Sequence, residues 1–402
     1  MSGDGSIAIS AATPLDNDDI LAEILLRLPP RPSSLPRASL VGKRWRRLVS
    51  DPCFLRRFRA RHWKPPLLGL MFNDVVGNIR FTPSLDSPDC IPAARFSLRR
   101  DNAMFHRMLD CRHGRVLVLD RDKRSFMVWE PVTGDQHHVS FPPEFDKLRL
   151  HVEHGAVVCA AGDQGHVHGA CHSGPFRVVL IGNGLKGLFA CVYSSETDKW
   201  DGCTSIICPP NISCFSYRYS STLVGNSLCW VLVGRSVAIL EFDLDRQSLA
   251  IIEAPPDALD IRLQYGGLCR FLITAGDDGG LGFLILLGFS ILVWKRTASC
   301  HDVDGWVLRG TVELDNLLSL RPGVTTRPVE MPTEIPIEIL GLAEDDNVMF
   351  VLTNAGVVFM VHLETLQFKR LPETMMYSYC HPLTSFYPAG QCLDFCSGST
   401  GA

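Results

Sequence analysis

Residues 14–62 read PLDNDDILAEILLRLPPRPSSLPRASLVGKRWRRLVSDPCFLRRFRARH. The stretch holds three helical patterns separated by proline. In the first, Ile20, Leu21, Ile24, Leu25 and Leu28 recur at the 3.6-residue period of a helix face. Asp16 or Asn17 is placed to cap its free N–H groups, and Asp18 and Asp19 stand where the helix dipole favours negative charge. Pro29-Pro30 ends the pattern, because proline lacks a backbone donor and restrains the residue before it. The second follows Ser33-Ser34, tolerates Pro36 in its first turn, and puts Ala38, Val41, Trp45, Leu48 and Val49 on one side. Gly42 lies inside it and costs about 1 kcal/mol relative to alanine. The third opens on Asp51 as cap with Pro52 at the first helical position, and carries Phe54, Leu55 and Phe58.

A helical unit of this size buries little surface of its own. Its apolar residues, Leu25, Leu28 and Trp45 among them, therefore pack on the rest of the chain or are covered by another protein. Composition does not choose between the two.

The ordered run Leu15, Ile20, Leu21, Glu23, Ile24, Leu25, Leu28, Pro29, then Ser34 to Val41, then Lys43 to Leu48, resembles an F-box. More narrowly it resembles the F-box of the plant proteins, expanded in grasses, that carry an associated β-propeller. The resemblance implies binding to a Skp1-like protein, which bridges to a cullin in a ubiquitin ligase. It places the Skp1 contact, or its immediate support, on Leu15, Ile20, Leu21, Ile24, Leu25, Leu28, Pro29, Leu40, Val41 and Trp45. Two positions depart from the family: Pro14-Leu15 stands where Leu-Pro is usual, and Gly42 where cysteine is common.

The chain has 402 residues, for which two domains are the natural prior. Residues 14–64 carry a net charge of +7 and residues 65–402 a net charge of −10. The basic residues of the first part fall mostly opposite the apolar stripe, where solvated Lys and Arg belong, so a nucleic-acid partner is not expected. Residues 1–13 have no basic, apolar signal pattern and read as a disordered leader. The longest apolar run, Leu281 to Trp294, is too short to span a bilayer and is broken by Gly282, Gly288 and Ser290, so no membrane partner is expected. Fifteen cysteines without CxxC spacing read as reduced, small apolar residues of an intracellular protein, nuclear or cytoplasmic.

Pro65-Pro66 marks the boundary between the helical unit and a β-rich remainder. From Leu67 onward short β-rich runs alternate with turn residues. Five segments share a strand–turn–strand layout: 127–135, 191–200, 240–247, 291–296 returning through 306–308, and 359–368. Their spacing of about 50–70 residues suits one four-stranded propeller blade with long loops and gives about six blades, give or take one, with an array of β-sandwiches as the main alternative. The segments VWEPVTGD, VYSSETDKW and LVGNSLCWVLVGRSVAILEFDLD, with that from Ile339 to Leu371, resemble the associated propeller of the same plant family. The expected fold is thus α plus all-β: a three-helix F-box at 14–64, a β-propeller-like recognition domain at 65–386, and a flexible tail at 387–402.

Two motifs invite chemistry. Gly182-Asn183-Gly184-Leu185-Lys186-Gly187 is a literal GxGxxG, but the chain continues as strand and turn, not as the helix a dinucleotide site requires. Residues His151, His154, Cys159, His166, His168, Cys171 and His172 are competent zinc ligands at a spacing that fits no standard finger, in a glycine-rich stretch that reads as a surface loop. The acidic pairs Asp277-Asp278 and Asp345-Asp346 read as turns. No catalytic, cofactor-binding or metal-binding residue is assigned. The resulting expectation is a non-catalytic SCF adaptor that binds a Skp1-like protein, a cullin through it, and an unidentified target protein on the propeller. The alternatives are a non-ligase Skp1 partner or scaffold and, behind them, a propeller enzyme or zinc protein.

Overall fold

The computed structural model describes residues 15, 17–98, 106–161, 166–169, 171, 174–185, 187–209, 220–258, 271–276, 279–297, 305–314, 337–353, 355–372 and 380–387. Pro14, the cap candidate Asp16, His172, the Asp277-Asp278 pair, the leader at 1–13 and the tail after Tyr387 lie outside these residues.

The helical segment forms four short helices instead of three: α1 (Asp18–Leu25), α2 (Ser34–Leu40), α3 (Lys43–Val49) and α4 (Pro52–His62). The second sequence pattern divides at Val41-Gly42, where Gly42 is extended and precedes α3. Glycine's low helix propensity marks the break. Local caps behave as the sequence dictates. Asn17 Oδ1 accepts from the amides of Asp19 and Ile20 at 2.8 and 3.3 Å, and Asp51 Oδ1 from those of Cys53 and Phe54 at 2.9 Å. Leu21, Ala22, Leu25, Leu26, Leu35, Ala38, Val49, Phe54 and Phe58 make one core.

After the helices come β1 (Leu67–Asn73) and β2 (Ile79–Pro83), then five four-stranded antiparallel sheets in chain order. The second sheet is β3 (His106–Arg112), β4 (Arg115–Asp120), β5 (Ser125–Trp129) and β6 (Gln136–Ser140), followed by α5 (Pro143–Lys147). The third is β7 (His151–Cys159), β8 (Phe176–Gly184), β9 (Gly187–Ser194) and β10 (Lys199–Ile206). The fourth is β11 (Thr222–Val224), β12 (Ser227–Val233), β13 (Val237–Asp243) and β14 (Ser248–Glu253). The fifth is β15 (Phe271–Ala275), β16 (Leu281–Leu287), β17 (Ser290–Thr297) and β18 (Gly305–Glu313). The sixth is β19 (Ile337–Ala343), β20 (Val348–Thr353), β21 (Val358–His362) and β22 (Phe368–Arg370). The last strand, β23 (His381–Thr384), returns to pair with β1, so the first sheet has the order β2-β1-β23. A single bridge from Ile79 to Leu98 stands where its fourth strand would run.

The protein is therefore a helical unit followed by a six-bladed β-propeller closed by pairing its C-terminal strand with its first. First strands of successive blades touch in the series β15, β19, β23, β3, β7. Closure completes the first blade and packs every blade face against a neighbour, leaving only short outer edges. Each pair of neighbouring blades encloses its own core. Phe81, Phe96 and Trp129 fill the first gap, Phe126, Phe145 and Tyr193 the second, and Val179, Trp230 and Phe242 the third. Ile239, Phe271 and Phe283 fill the fourth, Leu284, Met349 and Val351 the fifth, and Phe72, Leu340 and Phe350 the last. Tyr387, assigned to the tail from sequence, is buried in the first of these cores.

The five repeated sequence segments are the third and fourth strands of the five complete sheets. Four of their connecting turns hold one residue in the left-handed region: Gly134, Asp198, Gln247 and Leu366. The GxGxxG segment is the β8–β9 hairpin. Its glycines make room for neighbours: a Cβ on Gly182 would lie 2.8 Å from Phe145, and one on Gly184 2.6 Å from Leu150. Not every cysteine is free, as the sequence reading held. Cys191 and Cys203 lie opposite one another on β9 and β10 and are bonded. Among the described residues, no helix is long and apolar enough to cross a membrane.

Two buried histidines contribute an acid-sensitive term to stability. His154 on β7 and His381 on β23 are both pushed down to about 3, first by burial and then by Arg107 and Arg112 respectively. Between the unfolded value of about 6.5 and the folded one, the unfolded chain binds protons that the folded chain refuses. Stability thus falls as pH falls below about 6.5, by up to about 1.4 kcal/mol per pH unit per histidine. Between about pH 7.5 and 5 the urea midpoint of the wild type will lose ground relative to that of His154→Gln/His381→Gln, the difference being the contribution of these two groups.

Candidate docking surface

The residues assigned to Skp1 contact from sequence fall into two sets. Leu21 and Leu25 are buried in the helical core, and Leu28 and Trp45 are half-buried against it. Leu15, Ile20, Ile24, Leu40 and Val41 are exposed, Leu40 by 69% and Val41 by 64%, and Pro29 is exposed as well. Arg44 ties the exposed set together: its Nε donates to Asp18 Oδ1 at 2.7 Å and its Nη1 to the Leu15 carbonyl at 2.6 Å. Residues 40–42, which lead directly into α3, are thereby held beside the start of α1. Ile20 and Ile24 share a face of α1 one turn apart. The break at Gly42 ends α2 at Leu40 and leaves Val41, which the sequence pattern placed on the inner face, exposed as the residue after the helix.

The helical unit is fastened to the propeller at named points. Asp89, buried after β2, accepts from Ser33 N at 3.1 Å and Ser33 Oγ at 2.6 Å, with Arg31 Nη1 at 3.5 Å. Ser33 thus spends its hydroxyl on the propeller instead of capping α2. Lys64 Nζ pairs with Asp346 Oδ1 at 3.0 Å, and Pro65 packs on Gly169. Asp89→Ala leaves the buried Ser33 groups without this acceptor, at a cost of about 1–3 kcal/mol to the junction. The Ser33 amide is expected to exchange with solvent about 5- to 150-fold faster, the same cost at about 1.4 kcal/mol per decade, read by hydrogen-exchange mass spectrometry.

These contacts define the end of the propeller that faces the helices. Its axis is closed there by Arg112, at the end of β3. The guanidinium meets both Glu344 oxygens at 2.7 and 3.0 Å, the Ser221 carbonyl at 2.8 Å and Asp110 Oδ2 at 3.6 Å. Those partners come from the second, fourth and sixth blades. Burial pushes the Asp110 and Glu344 carboxyls up, while Arg112 opposes that rise. Glu344 also accepts from Leu223 N at 3.2 Å.

The same end carries the long connection from β7 to β8. Of the seven His and Cys residues singled out in sequence, the structure brings Cys159, His166, His168 and Cys171 together. His151 is exposed and His154 is buried on β7, both apart from that group. Arg115, fully buried, anchors the connection: Nη2 donates to the carbonyls of Cys171 and, at 2.7 Å, Gly174, and Nε to Glu130 at 2.9 Å.

Comparison with known proteins agrees with this architecture. The family model described as "F-box protein AT5G49610-like, beta-propeller" matches residues 107–389, and the model described as "F-box-like" matches residues 18–61. The chain belongs to the AT5G49610-like F-box beta-propeller family. It is also similar to F-box protein At5g03970 of Arabidopsis thaliana, with 22% identity over 375 residues, covering 89% of this chain and 83% of that protein. Two solved structures align at lower similarity. The Dos1 propeller shows 10% identity and a TM-score of 0.35 over 78% of this chain and 69% of that one. A chain of the mitotic checkpoint complex shows 12% identity and a TM-score of 0.35 over 73% of this chain and 69% of that one. This F-box protein therefore carries a module of the Skp1-binding type in front of its propeller.

Asp89, Arg112, Arg115 and Glu344 were not singled out from sequence. Their partners are far away in the chain, and no spacing pattern announces them.

Proposed function

We propose that this F-box protein is the substrate-recognition subunit of an SCF-type ubiquitin ligase. It docks on a Skp1-like protein through its helical unit, reaches a cullin through Skp1, and holds a target protein on the propeller. The observation that carries the reading is the exposed apolar set Leu15, Ile20, Ile24, Leu40 and Val41 on a unit whose own core is already filled. An exposed patch of this kind on a small module marks a protein contact. The unit's fastening through Asp89 and Lys64 supports a fixed spacing between Skp1 and the propeller.

The target site in this reading is the propeller end away from the helices. Turns after second strands and connections after fourth strands lie there. They expose Val75, Val76, Leu148, Leu185 and Ile207. Catalysis is by proximity: tethering raises the effective concentration of target lysines near the ubiquitin-loaded enzyme, and this chain supplies no nucleophile. The protein acts inside the cell, in nucleus or cytoplasm, where such ligases work.

The test is titration of the full chain with a purified Skp1-like protein, followed by addition of cullin. Saturable one-to-one binding and cullin recruitment are expected. A folded chain that binds no Skp1-like protein overturns the reading. A chain that binds it but never recruits cullin is a Skp1 partner outside the ligase.

A further inference from the structure

We propose that Cys159, His166, His168 and Cys171 form a closed, structural zinc site that locks the β7–β8 connection onto the helical end of the propeller. The four ligand atoms all lie within 4.8 Å of one another. His166 Nε2 stands 3.2 Å from Cys159 Sγ and 3.3 Å from Cys171 Sγ, and His168 Nδ1 stands 3.8 Å from Cys171 Sγ. Zn–S bonds of about 2.3 Å and Zn–N bonds of about 2.0–2.1 Å, at tetrahedral angles, put ligand atoms about 3.3–3.8 Å apart. The three sulfur–nitrogen spacings lie within about 0.4 Å of the roughly 3.5 Å sulfur–nitrogen edge of that tetrahedron, a shift that small side-chain rotations supply. Two thiolates and two imidazoles are the donor set that selects zinc among the common divalent ions. Four protein ligands leave no open position, which is the mark of a structural site and not a hydrolytic one.

The surroundings support the ligands. His113, in the β3–β4 turn, accepts from Cys159 N at 3.2 Å and stacks on His168 with ring centres 3.9 Å apart. Ala161 N donates to Cys159 Sγ at 3.5 Å, as amides do to metal-bound thiolates. Arg115 holds the Cys171 carbonyl. Such partners orient the ligands around a metal. Cys171 is buried while His168 is exposed, which gives the ion a way in.

The site also answers a question the fold raises. First-to-second strand turns in the neighbouring blades are short, at 113–114 and 225–226, whereas this connection runs from 160 to 175. Connections of that length usually serve a purpose. Gly169, between His168 and Cys171, accepts from Ser385 Oγ at 2.9 Å and Phe386 N at 3.0 Å, and a Cβ on it would lie 2.5 Å from Pro65. One loop thus touches the linker from the helices and the strand that closes the ring. Zinc would fix that loop and, through it, both chain ends of the propeller. Binding converts two thiols to thiolates and releases their two protons, so the bound cluster is neutral.

The full chain, purified under reducing conditions without chelator, is expected to carry one zinc per molecule by elemental mass spectrometry. Cobalt(II) titrated into the stripped protein should give the intense visible bands of a tetrahedral thiolate site. Cys159→Ser/His166→Ala should lose the equivalent of zinc, His166→Cys should retain it, and His151→Ala should leave it unchanged. Chelation should lower the melting temperature and speed proteolysis at the 62–66 linker. The proposal is overturned if the wild-type chain gives neither bound zinc nor tetrahedral cobalt bands. It is equally overturned if Cys159 and Cys171 are found joined as a stable disulfide under those conditions, or if the double variant keeps its metal.

Discussion

Arg112→Met is expected to destabilise the propeller by about 3–5 kcal/mol at neutral pH, the scale seen when one partner of a buried ion pair is removed. Arg112 is the cation shared by Asp110 and Glu344 at the helical end of the axis. Both carboxyls already sit above their ordinary range through burial, with Arg112 restraining them. Without it they rise further, because two desolvated carboxylates remain with no counter-charge. A folded-state pKa above the unfolded value contributes stability below the unfolded pKa, and that stability is lost as pH rises. The variant's deficit will therefore be smallest near pH 4–5 and grow toward pH 8. Arg112→Met/Glu344→Gln should recover part of the loss, since it removes one stranded charge. Denaturant midpoints of the three proteins at two pH values decide the matter. An Arg112→Met deficit that does not change with pH would mean that packing, not charge, holds this end of the ring.

The legible parts of this protein are those whose physics is local. Asn17 and Asp51 cap the helices that begin just after them because a cap needs only the next three residues. The repeated strand–turn–strand segments are visible because third and fourth strands are joined by tight turns with a fixed left-handed position. First strands were harder to read. β11 spans three residues, and β7 and β8 are separated by a long connection. The break at Gly42 was present in sequence as a propensity cost, but it decides which way Leu40 and Val41 point only once α3 is pinned by Arg44. The Arg112–Glu344 pair spans 232 positions, and the Ser33–Asp89 contact joins the two units. No period or motif relates such residues, because the propeller's circular order brings them together. The same holds for Cys159, His166, His168 and Cys171, whose spacing is irregular while their ligand atoms converge.

Leu40→Asp/Val41→Asp is expected to weaken binding of a Skp1-like protein by about a thousandfold while leaving the fold intact. Each side chain is an exposed apolar anchor of the proposed interface, and central anchors contribute about 2 kcal/mol each. Two of them amount to about 4 kcal/mol, or about three decades in Kd. Neither residue belongs to the helical core, so circular dichroism and thermal unfolding should be close to those of the wild type. Leu25→Ala must behave differently. Leu25 is buried, and truncation of such a leucine costs about 2–5 kcal/mol through lost burial and the cavity left behind. Its effect on binding should follow the fraction of helical unit that remains folded and shrink on moderate cooling toward the temperature of maximum stability. The contrast separates docking from support, which the sequence placed together in one set of ten residues. Equal binding by wild type and the Leu40/Val41 variant would move the contact to another face of the unit. A variant that loses both fold and binding would return those two side chains to the core.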